Sequence, residues 1–153
     1  MELEINKIIQ LVNNGVLNTT EHDVPVEDAY KASKFRRALK AAFEEVVERE
    51  KALAKEAGIA DPQKIAEASE DARKRFGELQ AELYKDKIDL PGIKAMPYES
   101  FHALAKENRR VPIQVPALDK DGKETMATIN VDTFRNCEDI LEGVLWVAPN
   151  EVD

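Results

Sequence analysis

From Pro25 to Ala57 the chain runs for about 30 residues with no glycine or proline beyond its first position, and Gly58 follows at once. Proline suits the opening turn of a helix, where its missing N–H would be unpaired anyway, and glycine suits the left-handed residue just past a helix end. Glu27 and Asp28 stand in the first turn and Lys55 in the last, each at the pole that the helix dipole favours. The segment predicts one continuous helix about 50 Å long. Everything else in a chain of 153 residues has to pack around it.

The apolar positions of this helix say how many neighbours it needs. Phe35, Leu39, Ala42, Val46 and Leu53 follow alternating three- and four-residue steps, with Arg49 interrupting the seam, while Phe43, Val47 and Ala54 form a second stripe beside it. Together they span an arc wider than one partner helix covers. One neighbour is expected from the segment that follows. Gly58 to Asp61 reads as a tight connection, Asp61-Pro62 as a cap and first-turn proline, and Pro62 to about Lys87 as a second helix carrying Ile65, Ser69, Ala72, Phe76, Leu79 and Leu83. A short loop between two long helices makes them antiparallel.

Folding about that turn sets Leu53 near Ile65, Phe43 near Phe76, and Phe35 near Leu83 or Tyr84. The charges agree with this register. Lys31, Lys34, Arg36, Arg37 and Lys40 would lie opposite Glu78, Glu82 and Asp86, and Glu44, Glu45 and Glu48 opposite Arg73, Lys74 and Arg75. Surface pairs of this kind are worth only ~0–1 kcal/mol each, so they select a register more than they supply stability.

Before the hairpin, Leu3 to Asn14 reads as a short amphipathic helix with Ile5, Ile8, Ile9 and Val12 on one face, ended by Gly15, and Asn18 to Asp23 as an unpatterned loop. After Ile88 the texture changes, because Leu90-Pro91-Gly92 and Met96-Pro97 break helices. Pro97 to Asn108 forms one short helix burying Phe101 and Leu104. Val111, Ile113 and Val115, the turn Asp119-Lys120-Asp121-Gly122, and the run Thr125 to Val131 form a β-hairpin whose Pro112 and Pro116 belong at an edge. Asp132-Thr133 caps a short helix with Phe134, Cys137, Ile140 and Leu141, and Val144 to Val147 is short enough for a further strand. The fold class is α+β, mainly α: a long antiparallel helical hairpin, a short N-terminal helix, and a small C-terminal subdomain with a β-hairpin and short helices. The expected division is 1–90 and 91–153, or one compact unit of both.

Composition narrows the function classes. Charged residues reach 34% and the formal net charge is -8, so a general nucleic-acid binder is disfavoured. Cys137 is the only cysteine, which leaves neither an internal disulfide nor a thiolate metal cluster. No apolar run approaches a membrane span, and Met1-Glu2-Leu3-Glu4 lacks the basic start of a signal peptide, so the expected location is cytoplasmic. His22 and His102, the only histidines, belong to no recognisable catalytic set, and Cys137 on an apolar helix face reads as a core residue. Asp119-Lys120-Asp121-Gly122 fails as a calcium loop, because Ala117 and Thr128 fall where its carboxylates belong. No catalytic residue, no metal site and no cofactor is expected.

Val24-Pro25-Val26 with Ala29-Tyr30-Lys31 behind it, the charged hairpin, and the mixed tail from Pro112 to Val147 give a layout that resembles small uncharacterised proteins of tailed phages and prophages. That resemblance rests on the order of parts. It implies a virion-structural or assembly setting, in the host cytoplasm or the virion, and transfers no site residue. The function expected is a non-enzymatic interaction or assembly component that self-associates, as a dimer or larger assembly, or binds a protein partner. Trp146, Phe43 and Val47 are its candidate contact residues, because the second stripe needs cover and tryptophan is a common interface anchor. The alternative is a ligand- or nucleic-acid-binding regulator using Lys31, Lys34, Arg36, Arg37 and Lys40 on phosphate groups. The acidic complement of that block favours the register-setting reading over it.

Overall fold

A computed structural model describes residues 1–149. In chain order it holds β1 (Glu2–Glu4), α1 (Ile5–Asn13), a 3-10 turn (Val16–Asn18), α2 (Val26–Glu56), a 3-10 segment (Pro62–Glu67), α3 (Glu70–Leu83), β2 (Lys87–Asp89), β3 (Met96–Pro97), α4 (Tyr98–Glu107), β4 (Val111–Leu118), β5 (Glu124–Val131), α5 (Thr133–Asn136), α6 (Glu138–Leu141) and β6 (Trp146–Val147). The fold is α+β and mainly α. Its strands form three separate two-stranded pairs: β1 with β2 and β4 with β5, both antiparallel, and β3 with β6, parallel.

The long helix serves two cores. Ala32, Phe35, Leu39, Ala42 and Val46 are buried in the larger one, with Ile5, Ile8 and Leu11 of α1, Phe101 and Leu104 of α4, and Phe134, Leu141 and Leu145 from the chain's last third. The core therefore draws on both sides of the Leu90 break. Beyond Val46 the stripe is interrupted by Arg49, as the sequence shows, and Ala54 then joins Ile59 and Phe76 in a second, smaller cluster. Arg49 sits at the gap between the cores and pairs outward with Asp86 at 2.8 Å.

The hairpin partner differs from the sequence expectation. Pro62–Glu67 is a 3-10 segment with a non-helical Lys64, and Ala68 and Ser69 are extended. Ser69 is the N-cap of a fresh helix, its hydroxyl accepting from the N–H of Ala72, with Glu70 and Asp71 in the first turn. The longer connection displaces α3 along α2. Leu53 and Ile65 both pack against the smaller cluster, but Phe76 lies with Ala54 there instead of near Phe43, a shift of about 16 Å at 1.5 Å per residue. Tyr84 reaches Glu50, not Phe35, and Gln80 donates to Glu50 at 3.1 Å. The expected charge pairing fails with the register. Asp86 meets Arg49 and Arg75 meets Glu56, while Lys31 pairs with Asp28 and Arg36 with Glu21. The register-setting role of the Lys31 to Lys40 block is thus corrected: α3 does not lie along it.

Residues read as an unpatterned loop are tied down by polar contacts from distant segments. Arg36 forks onto Glu21 at 2.6 and 2.9 Å and also donates to the carbonyl of Thr19. Asn108, at the end of α4, donates to the Thr20 carbonyl and accepts from its N–H. Glu107 accepts from the N–H groups of His22 and Asp23 and from the Thr20 hydroxyl. At the start of α2, the Ser100 hydroxyl donates to buried Asp28 and joins α2 to α4.

Burial works to raise the Glu107 carboxyl, but its three donors outweigh that and hold it below the ordinary value of 4.5. A carboxyl depressed in the folded state contributes stability above its unfolded value and loses it as pH falls through the folded one. Chemical denaturation of the parent and of Glu107→Gln should differ most at neutral pH, and the gap should close as pH drops below about 4.5. A gap that stays constant down to pH ~3 would contradict the contact.

Candidate functional site

Tyr98, His102 and Lys106 follow one another along α4 at steps of four residues, and Arg109 stands just past the helix end. That spacing puts the three α4 residues in one stripe along the helix. Across from it, Asp132, Arg135 and Glu138 recur at three-residue steps through α5 and the start of α6. Between the two lies a cavity of about 280 Å³ lined by these seven residues with Phe101 and Ala105. Its aromatic lining, Tyr98 and Phe101, is backed by two further rings. Trp146 stacks on Phe101 with centroids 5.8 Å apart and meets Tyr98 edge-on at 4.9 Å, and Phe134 meets Phe101 edge-on at 5.8 Å.

Polar groups fix part of the wall. The Tyr98 hydroxyl donates to Glu138 Oε1 at 2.7 Å, and the Trp146 indole N–H donates to the Glu138 carbonyl at 2.9 Å. The hydrogen bond to Glu138 raises the Tyr98 phenol above its ordinary value, while the nearby Arg135 charge acts in the opposite sense. Asp132 occupies the N-cap position of α5 but makes no side-chain cap hydrogen bond, contrary to the sequence expectation. Its Oδ1 is buried with no hydrogen-bond partner. Among the described residues, no ion pair joins Lys106, Arg109 or Arg135 to a carboxylate.

The residues singled out from the sequence fall elsewhere. Trp146 is half-buried behind the cavity's lining, against Tyr98 and Phe101, Phe43 is half-buried against the larger core, and Val47 is half-buried on α2. Of the basic block, Arg36 is committed to Glu21 and Lys31 to Asp28, whereas Arg37 and Lys40 are exposed. Lys31 and Lys34 line a shallow groove with Lys94, Gly92, Val26 and the exposed Tyr30. Gly92, at φ 71°, leaves room for Lys34, whose Nζ would lie 2.9 Å from a Cβ there. His22 and His102 are exposed, and burial pushes the Cys137 thiol up to about 11, which keeps it protonated near neutral pH. Among the described residues no group of three or more metal-ligating side chains is placed to hold an ion, and no helix is long and apolar enough to cross a membrane.

The most exposed apolar feature is the β4–β5 ribbon. Leu118, Met126 and Ile129 are three of the six large apolar side chains that stay exposed among the described residues. The Asp119 N–H donates to the Lys123 carbonyl at the turn, and Gly122 takes the left-handed position. Hydrogen-bonded pairs then alternate from there, so Ala117, Val115 and Ile113 point their N–H groups at β5. Pro112, Gln114 and Pro116 point outward, as do Met126, Thr128 and Asn130 on the other strand. The outer edge of β4 thereby lacks two donors, and its Pro112 carbonyl is taken by Asn18. The outer edge of β5 from Thr125 to Val131 has no proline and no charge. No protein-family model matches the chain, and comparison with curated proteins and with solved structures found no match.

The spacing of Tyr98, His102 and Lys106 was available in the sequence as a polar stripe. What lines it up with Asp132 and Arg135 was not, because that depends on how α5 returns to α4. Trp146, stacked on Phe101, edge-on to Tyr98 and with its N–H satisfied, ties that return to α4. Trp146→Ala should lower unfolding stability by about 3 kcal/mol or more, the range for removing a packed large aromatic. A loss below about 1 kcal/mol in denaturant titration would show that the return does not depend on it.

Proposed function

We propose that this protein is a non-enzymatic assembly component that joins to a second copy of itself by strand addition along β5. The observation that carries this reading is the asymmetry of the ribbon's two edges. Exposed strand edges are templates for pairing, and proteins commonly blunt them with proline or charge. Here β4 is blunted by Pro112 and Pro116 and capped by Asn18, while β5 offers the N–H and C=O groups of Met126, Thr128 and Asn130 unobstructed. A two-fold axis at Thr128 would pair it with Thr128 of a second copy and Met126 with Asn130; every pair from Thr125 to Val131 is uncharged, and Glu124 falls opposite Asp132 at the margin. Exposed Met126 and Ile129 would then lose water-accessible apolar surface. The layout resemblance to tailed-phage proteins fits an assembly role of this kind.

A second reading, a ligand- or nucleic-acid-binding regulator, is supported by one observation: α3 does not neutralise the basic block, and Lys31, Lys34 and Lys94 gather at one groove. The two readings respond differently to salt, because contacts between exposed charges are screened within about 10 Å at 0.1 M ionic strength and backbone pairing is not.

Thr128→Pro removes an outward N–H at the centre of the edge while leaving the β4–β5 ladder intact, at the loss of one bond from Gln114. Sedimentation equilibrium should show the parent associating with little dependence on added salt, and Thr128→Pro associating at least ten-fold more weakly with an unchanged circular dichroism spectrum. A parent that stays monomeric at high concentration, or a variant that associates as tightly, would contradict the proposal.

A further inference from the structure

We infer that the groove beside the first turns of α2 docks an acidic segment of a partner protein, one that carries an apolar side chain ahead of its carboxylates. The inference rests on the second reading above, that the basic block meets a ligand from outside the chain. It takes no support from the β5 edge. Two kinds of surface meet in this groove, and the chain itself covers neither.

The first is apolar. Val26 is 86% exposed and Tyr30 60% exposed. They stand four residues apart, so helical geometry sets them side by side on one face of α2. Both line a groove of about 480 Å³ together with Lys31, Lys34, Lys94 and Gly92. An apolar side chain laid against this pair removes water from both partners.

The second is charged. Lys31 and Lys34 come from α2, and Lys94 comes from the loop between β2 and β3. Asp28 answers Lys31 at 3.4 Å, but among the described residues no carboxylate pairs with Lys34 or Lys94. Lys34 is also confined. Gly92 has φ 71°, and a Cβ there would lie 2.9 Å from both Cε and Nζ of Lys34, so the lysine packs over bare backbone. A side chain already confined loses less freedom when a ligand arrives. Exposed Arg37, two turns beyond Tyr30 on the same face, extends the positive surface. In a chain of net charge -8 this is a local reversal of sign.

The limits of that surface decide the kind of anion. Glu27 lines the groove beside Val26, and exposed Glu44, Glu45 and Glu48 follow on α2 beyond Lys40. From Lys31 to Lys40 the helix rises only about 14 Å at 1.5 Å per residue. A nucleic-acid strand, charged at every nucleotide, would run on into those carboxylates. The acidic run of a peptide can stop where the lysines stop. Exposed ion pairs contribute ~0–1 kcal/mol each, so the contact with Val26 and Tyr30 carries the affinity and the lysines fix its direction.

Three fluorescein-labelled probes test this by anisotropy. The first is a peptide with leucine and phenylalanine ahead of a run of glutamates, and the second replaces those two residues with serine. The third is a single-stranded oligothymidylate of equal length. The first peptide should bind at least ten-fold more tightly than either of the others. Tyr30→Ala and Lys34→Glu should each weaken it ten-fold or more with an unchanged circular dichroism spectrum. Lys55→Glu, in the last turn of the same helix, should change it less than two-fold. Equal binding of the serine peptide, or an equal loss in Lys55→Glu, would overturn the inference, because net charge alone would then explain the attraction. Tighter binding of the oligothymidylate would also overturn it, and would leave the nucleic-acid form of the second reading standing. No binding of any probe at millimolar concentration would end both.

Discussion

The fold depends on the burial of one stripe of the long helix. Ala32, Phe35, Leu39, Ala42 and Val46 are almost completely shielded from water, and the side chains that shield them come from α1, α4 and the last third of the chain. None of the three strand pairs could supply this by itself, because an isolated two-stranded sheet has no second layer to bury a face against. β1–β2 and β3–β6 instead act as ties. The first holds the start of the chain against the end of the hairpin, and the second holds Trp146 against the start of α4. The helix is thus the surface on which the small elements are assembled, and its far end is free to carry α3 on a separate cluster of its own.

That division was partly legible in the sequence. The helix bounds are set by local rules, proline before and glycine after, and the structure agrees within a residue at each end. The seam positions follow from helical periodicity, and Arg49 marks the place where the larger core stops. The register of the hairpin was not legible. It turns on whether Pro62 begins the next helix, and Asp61-Pro62 fits that pattern as well as it fits a 3-10 turn. Ser69-Glu70-Asp71, an equally good start, decides the matter in the structure. Two valid local signals competed, and tertiary packing of Phe76 on Ala54 chose between them.

Polar assembly was less legible still, for a physical reason. Hydrophobic periodicity identifies faces because every buried position contributes, whereas a hydrogen bond joins two residues whose separation in sequence carries no information. Glu107 with the loop at Thr20 to Asp23, Arg36 with Glu21, and Ser100 with Asp28 are of this kind. The cavity between α4 and α5 combines both cases. Its α4 wall is a periodic stripe that the sequence contains, but its other wall arrives through a ribbon of sixteen strand residues that leaves α4 and returns. The same ribbon exposes the β5 edge, so one excursion of the chain creates both candidate surfaces. The prolines that make β4 look like a poor strand in the sequence are what make the two edges unequal.

The unequal edges are the centre of this account, and amide hydrogen exchange reads them residue by residue. The N–H groups of Ile113, Val115 and Ala127 point into the ladder and should be protected at any protein concentration. Those of Met126, Thr128 and Asn130 point outward. Strand addition predicts that their exchange slows at least ten-fold as concentration is raised through the association range, with the inward set unchanged. Rapid exchange of Met126, Thr128 and Asn130 at every concentration would contradict it.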